Sequence, residues 1–171
     1  MRRIIVLASA ALLVLALVPM ASAATTTITT KHVDGTVKVF EPARDGVPNA
    51  RYWLARFEVR SSPDGATVYF GYMHLYGITP DNNAGAIHEF SVSKVDYSRN
   101  ATGQRATLHM EECIISGEAL PVPPSQCFVS NYRVSDGSPD TFNPAGLTGS
   151  ATWSVDSGNI AIYTTSGQNS Q

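Results

Sequence analysis

Tyr52-Trp53-Leu54-Ala55-Arg56-Phe57-Glu58-Val59-Arg60, then Ser62-Pro63-Asp64-Gly65, then Thr67-Val68-Tyr69-Phe70-Gly71-Tyr72-Met73-His74-Leu75-Tyr76 is the stretch that decides the fold class. In its first part apolar residues recur at every second position, the spacing of a strand with one buried face. Ser62-Pro63-Asp64-Gly65 is turn chemistry, and the residues after it return as a strand. Pairing Arg60 with Thr67 puts Val59–Val68, Phe57–Phe70, Ala55–Tyr72 and Trp53–His74 on one almost wholly apolar face. Trp53, Phe57, Phe70 and Tyr72 are therefore expected in the core, with His74 as a core histidine beside Trp53. The opposite face is apolar toward its far end. There Tyr52, Leu54, Met73 and Leu75 form a candidate interaction surface unless a loop covers them.

The same alternation extends in both directions along the chain. Val33, Val37 and Val39 alternate with Asp34, Thr36 and Lys38. Ile87 to Tyr97, Arg105 to Ile115 and Cys127 to Val134 read as three more strands. Ala151 to Val155 and Ile160 to Thr164 bracket Asp156-Ser157-Gly158-Asn159, which reads as a second hairpin turn. Glu41 to Asn49, Thr79 to Gly85 and Asp136 to Gly146 read as loops. Ala24 to Thr30 suits an edge strand or a loose start, and the polar tail from Thr165 is expected to be loose. No stretch sustains helical periodicity. The expectation is an all-β chain, an antiparallel β-sandwich or small barrel of about eight or nine strands.

The N-terminus has a different character. Met1-Arg2-Arg3, the apolar run Ile4 to Val18 and the small-x-small signal Ala21-x-Ala23 have the three parts of a secretory signal peptide. The run falls short of the roughly 20 residues that span a bilayer, so no stable membrane insertion is expected after cleavage. The expected division is a signal peptide over residues 1–23 and one domain over 24–171, secreted or held in the cell envelope or periplasm. Of the 171 residues 15% are charged, low against about 25% in ordinary soluble domains. Loss of Arg2 and Arg3 takes the net charge from −2 to −4, and with no basic cluster nucleic acid is not an expected partner. Cys113 and Cys127, an even pair in an exported chain, are expected to form a disulfide. It would close the Pro-rich stretch Glu118 to Pro124, whose crest residues Leu120 and Val122 are a second candidate contact surface.

Motifs for chemistry are sparse. Gly77-Ile78-Thr79-Pro80 and Gly85-Ala86-Ile87-His88-Glu89-Phe90 together resemble the turn and strand of copper–zinc superoxide dismutases and related chordin-type sandwich domains. Ala86 stands where that family's first histidine would be, and no His-rich loop follows, so the resemblance implies sandwich shape without the metal site. His88 and His109, with Glu111 or Glu89, are the alternative metal set, though two imidazoles are few ligands. His109 is expected to face solvent. Asp81-x-Asn83-x-Gly85 resembles the opening of a calcium loop but lacks the glycine that such a loop needs at its sixth place. Asn100-Ala101-Thr102 is a glycosylation sequon. No G-x-S-x-G, no phosphate-binding glycine loop and no spacing that selects a triad is present, and Glu111-Glu112 point to opposite faces of one strand. No cofactor and no catalysis are expected. The reading is an exported non-catalytic protein that binds a protein or glycan partner; the alternative is an exported metal-binding protein or metalloenzyme using His88 and His109.

Overall fold

A computed structural model describes residues 26–80, 82–116 and 127–169. The expected signal peptide, Asp81 and the Pro-rich stretch with Leu120 and Val122 lie outside the described residues. Eight antiparallel strands form one sheet: β1 (Thr26–Glu41), β2 (Arg51–Ser61), β3 (Val68–Gly77), β4 (Ile87–Asn100), β5 (Gly103–Ser116), β6 (Cys127–Gly137), β7 (Thr141–Pro144) and β8 (Ser154–Asn169). A single 3-10 turn at Gly149–Ala151 precedes β8. The strand order is β7-β6-β5-β4-β3-β2-β1-β8, a meander whose last strand crosses back to pair with the first. The sheet curls until β8 approaches β6 and β7, so of the two architectures open to the sequence the small, nearly closed barrel is the one formed.

Closure does not use a regular ladder, because β7 is too short to offer one. Side chains replace it. Asp140 Oδ2 accepts the Ile160 amide at 2.7 Å, and Asp136 Oδ2 accepts the Ile162 amide at 3.0 Å. Asn143 Oδ1 accepts the Trp153 amide at 3.1 Å. Ile160 and Ile162 are buried, so their amides need these acceptors. Replacing Asp136 and Asp140 together by alanine should cost about 1–3 kcal/mol per abandoned amide. Chemical denaturation and faster hydrogen exchange at Ile160 and Ile162 would register it; unchanged exchange there would mean the carboxylates do not hold the seam.

The interior is aromatic. Trp53 stacks on Trp153 at 6.3 Å, Phe57 on Phe142 at 5.8 Å, and Tyr132 lies edge-on to Phe90 at 5.5 Å. Aliphatic residues Val33, Val37, Ala55, Val59, Leu108, Ile160 and Ile162 fill the space between the rings.

Trp53 and Phe57 are inside, as the alternation of β2 requires, but β3 pairs in a different register. Phe57 faces Met73, Ala55 faces Leu75 and Trp53 faces Gly77. The β2–β3 turn is wider than Arg60–Thr67 pairing allows. Ser62 N donates to Thr67 O, Thr67 N donates to Ser62 Oγ, and a bulge falls between Arg60 and Ser61. The resulting offset of three residues is odd, so every β3 side chain changes face. Phe70, expected in the core, is 46% exposed, and Tyr72 and His74 also lie outside. Met73 and Leu75, candidates for an interaction surface, are core residues at 0% and 1% exposure.

Three further expectations change, the first being that Asp136 to Gly146, read as a loop, carries β7 at Thr141–Pro144. Asp156 to Asn159 is not a hairpin turn: β8 runs through it, pairing Ser157 with Lys38 and then Val155 with Val39, so Asp156 is the extra residue of a bulge. Gly158 has φ +105° there, and a Cβ would lie 2.2 Å from the Thr36 carbonyl oxygen, so glycine is required. The tail from Thr165 is not loose either, since Thr165 to Asn169 pair with Thr30 to Thr26.

Cys113 and Cys127 face each other across β5 and β6 and are joined by a disulfide. The bond belongs to an oxidising environment. Reduction should lower the melting temperature, with a loss on the order of 3 kcal/mol for a loop of this length. An unchanged melting curve would show that β5–β6 pairing alone suffices.

Candidate functional site

The register of β3 creates the site. With Met73 and Leu75 turned inward, the alternate residues Phe70, Tyr72, His74 and Tyr76 form a continuous row on the outer wall. Adjacent rings are 5.2–5.8 Å apart, and Tyr76 Oη lies 3.2 Å from His74 Nδ1. The row fronts three strands whose outward residues are polar. Across the wall, Ala161, Asp34, Glu58 and Tyr72 align on β8, β1, β2 and β3; the next row is Asn159, Thr36, Arg56 and His74. Together they line a groove of about 700 Å³. That is within the roughly 300–1,000 Å³ of small-molecule sites.

Several polar groups in the groove are not satisfied within the protein. Asp34 Oδ2 accepts the Tyr163 hydroxyl at 2.8 Å, and this bond holds the Tyr163 phenol above its ordinary pKa. Asp34 Oδ1 is buried without a donor. Arg56, between Thr36 and His74, is exposed and has no ion-pair partner among the described residues. Glu58 is paired with Arg60. The groove thus presents a free planar donor and, on its far side, the Asn159 amide across from the aromatic rings, with an orphaned carboxylate oxygen buried in its wall.

Tyr52 and Leu54 lie on this outer wall, half-buried, at the end of the groove. Leu54 faces Lys38 and Tyr76, while Tyr52 lies beside Phe40 and under the Lys38 ammonium, 4.3 Å from its ring centroid. Sequence reasoning missed Asp34, Arg56, Tyr72 and Tyr76 as a set. Nothing in their spacing along the chain links them, since two successive strand pairings, β1–β2 and β2–β3, bring them together.

The histidines separate. His88 points into the barrel, is 6% exposed, and its Nδ1 lies 2.7 Å from Glu112 Oε1, with Trp53 edge-on at 5.1 Å. His109 and Glu111 point outward from β5, and Glu89 outward from β4, so the alternative metal set is split by the barrel wall. Among the described residues no group of three or more His, Cys, Asp or Glu is placed to hold a metal ion. His109 Nε2 instead meets Asp96 Oδ2 at 2.6 Å. Hydrogen bonds from Lys94 and then His109 keep the Asp96 carboxyl below its ordinary pKa. Asn83 of the calcium-like loop is buried and structurally committed: its Oδ1 accepts the Thr79 amide at 2.9 Å and its Nδ2 donates to Tyr52 O at 3.0 Å. Asn100 is exposed at the β4–β5 turn, its Oδ1 accepting from Thr102 and Gly103.

Inside the same end of the barrel as His88, Glu41 is fully buried and accepts from Arg44, Arg51 and Trp53 Nε1, each at 2.7 Å. The Glu41 carboxylate is held by two guanidiniums and an indole N–H, and the Glu112 carboxylate lies against His88, so both clusters read as structure. No helix among the described residues is long and apolar enough to cross a membrane. No protein-family model, curated protein or solved structure matches the chain, so the site is read from its own residues.

Proposed function

We propose that this is an exported, non-catalytic binding protein whose outer groove on β8, β1, β2 and β3 holds a carbohydrate. One observation carries the reading: a single groove brings a free guanidinium (Arg56) beside the rings of Tyr72, His74 and Tyr76, with the Asn159 amide across from them and the Asp34 carboxylate in its wall. Sugars match that combination, having hydroxyls that both donate and accept and C–H faces that stack on rings. The core of a protein interface is depleted of charged residues, and Asp34, Arg56 and Glu58 stand in the middle of this groove. Export is supported by the basic start, the apolar run and Ala21-x-Ala23, and by the disulfide.

The test is direct. The mature protein is screened against an oligosaccharide array, and hits are measured by calorimetry. Tyr72→Ala and Tyr76→Ala should each weaken binding about tenfold, the loss of roughly 1–1.5 kcal/mol of stacking. Arg56→Ala should weaken it further while leaving the melting temperature unchanged. Failure of every oligosaccharide to bind, or binding that survives all three changes, would reject the groove as a sugar site. Mass spectrometry of the exported protein should find Ala24 as the first residue; an intact N-terminus would reject the cleavage.

A further inference from the structure

We propose that a second, independent site on a different face of the barrel binds an anionic group through Arg105 and Arg133. On the outer wall of β4 to β7, a groove of about 360 Å³ is lined by Ser98, Arg105, Thr107, Arg133, Thr141 and Thr152, with Asn143. The strand registers build it. Thr107 faces Arg133, Ser98 faces Arg105, and Arg133 faces Asn143, so the two arginines stand diagonally across the β5–β6 pair.

The balance of charge in this groove is unusual for the chain. No residue lining it is acidic, although the protein as a whole is net negative. Neither guanidinium has an ion-pair partner among the described residues, and they stand together, whereas Lys38, Arg44, Arg51, Arg60 and Lys94 are each paired with a carboxylate. The carboxylate in the adjoining position on β4, Asp96, is taken up by Lys94 and His109 and does not neutralise them.

Planar guanidinium forks match the oxygens of phosphate, sulfate or carboxylate, and hydroxyls add further donors. Ser98, Thr107 and Thr152 are available, while Thr141 is bonded to Ser135 at 2.7 Å and Asn143 is used by the backbone. The volume exceeds that of a bare inorganic anion and suits an acidic group carried on a unit the size of one sugar. This inference rests on Arg105 and Arg133 alone and stands whether or not the aromatic groove binds carbohydrate.

The two sources of such a group are separated by titrating the isotope-labelled mature protein with inorganic phosphate, glucose 6-phosphate and glucuronate. The readout is the NMR signals of the arginine Nε–H groups. All three should give saturable shifts at Arg105 and Arg133, weakening as salt is added. Tighter binding of the two sugar acids assigns a sugar-borne anion; equal or tighter binding of phosphate assigns a free one. Arg105→Gln and Arg133→Gln should each weaken binding about tenfold or more, as loss of a charge-assisted hydrogen bond does. Arg133→Lys should recover part of it. Both arginines are exposed, so the variants should melt like the parent, and melting curves check this. No saturable shift with any of the three, or shifts that persist in both glutamine variants, would overturn the site.

Discussion

Glu41→Ala should lower the stability of the barrel by about 3–5 kcal/mol, the range for removing one partner of a buried ion pair. Glu41 has 0% exposure and is the acceptor for two guanidiniums and the Trp53 indole N–H. It ends β1, while Arg51 opens β2 and faces it in the register, so the carboxylate ties the two ends of a loop to the floor of the core. Alanine would leave a buried indole N–H without its acceptor and Arg51 and Arg44 without this counter-charge. Glu41→Gln preserves the shape and one acceptor oxygen and should recover part of the loss. Urea denaturation followed by tryptophan fluorescence measures both. A loss under about 1 kcal/mol for alanine would mean that water reaches the site and replaces the carboxylate, as it does for exposed pairs.

Phe57→Ala should cost a similar amount, about 3–5 kcal/mol, through lost burial and the cavity left behind. Phe57 is 3% exposed and stacks on Phe142 from across the barrel. Its ring also lies over Gly35, where a Cβ would come within 2.2 Å of the ring carbon Cζ. Gly35→Ala alone should therefore overpack the site and cost about 1–3 kcal/mol. Combined with Phe57→Ala, the new methyl group enters the space that the ring vacates. The double variant should then lose less than the two single losses added together, because the residues share one cavity. Strict additivity would show that the ring and Gly35 do not compete for the same volume.

These two sites show where the sequence was legible. β2 has one strongly apolar set of alternate residues, so the inward face of Trp53, Ala55, Phe57 and Val59 could be read directly. β3 has two: Phe70, Tyr72, His74 and Tyr76 compete with Met73 and Leu75 between Gly71 and Gly77. Ring area favours the aromatic set, but the space inside the barrel decides otherwise. The barrel is already filled by rings from β2, β4, β6 and β7 and by Trp153 just before β8, and at Gly71 a Cβ would meet Val92 at 2.8 Å, at Gly77 the Asn83 carbonyl oxygen at 1.8 Å. Small and flexible residues fit there, and the aromatic row is left outside. The groove was illegible for the same reason, since it exists because of that choice. The disulfide was legible because compartment and parity alone determine it. The seam was not, because a carboxylate that accepts a backbone amide has the same letter as one that makes a turn.

The crossing of β8 onto β1 has a consequence for how the chain comes to be folded. From β1 to β7 every pairing is between strands adjacent in sequence, so these hairpins can zip in order as the polypeptide emerges. The final pairing is of another kind: His32 Nε2 and Thr165 Oγ1, 2.8 Å apart, are separated by 133 residues. Closing so long a loop is entropically unfavourable and gains no contacts until the end. Up to that moment β1 exposes a bare edge and the cylinder stands open along its length, the form of intermediate most prone to join with its neighbours. Until Ser154 to Asn169 are in place the chain holds this unclosed form, with the edge of β1 still open to a strand from another molecule.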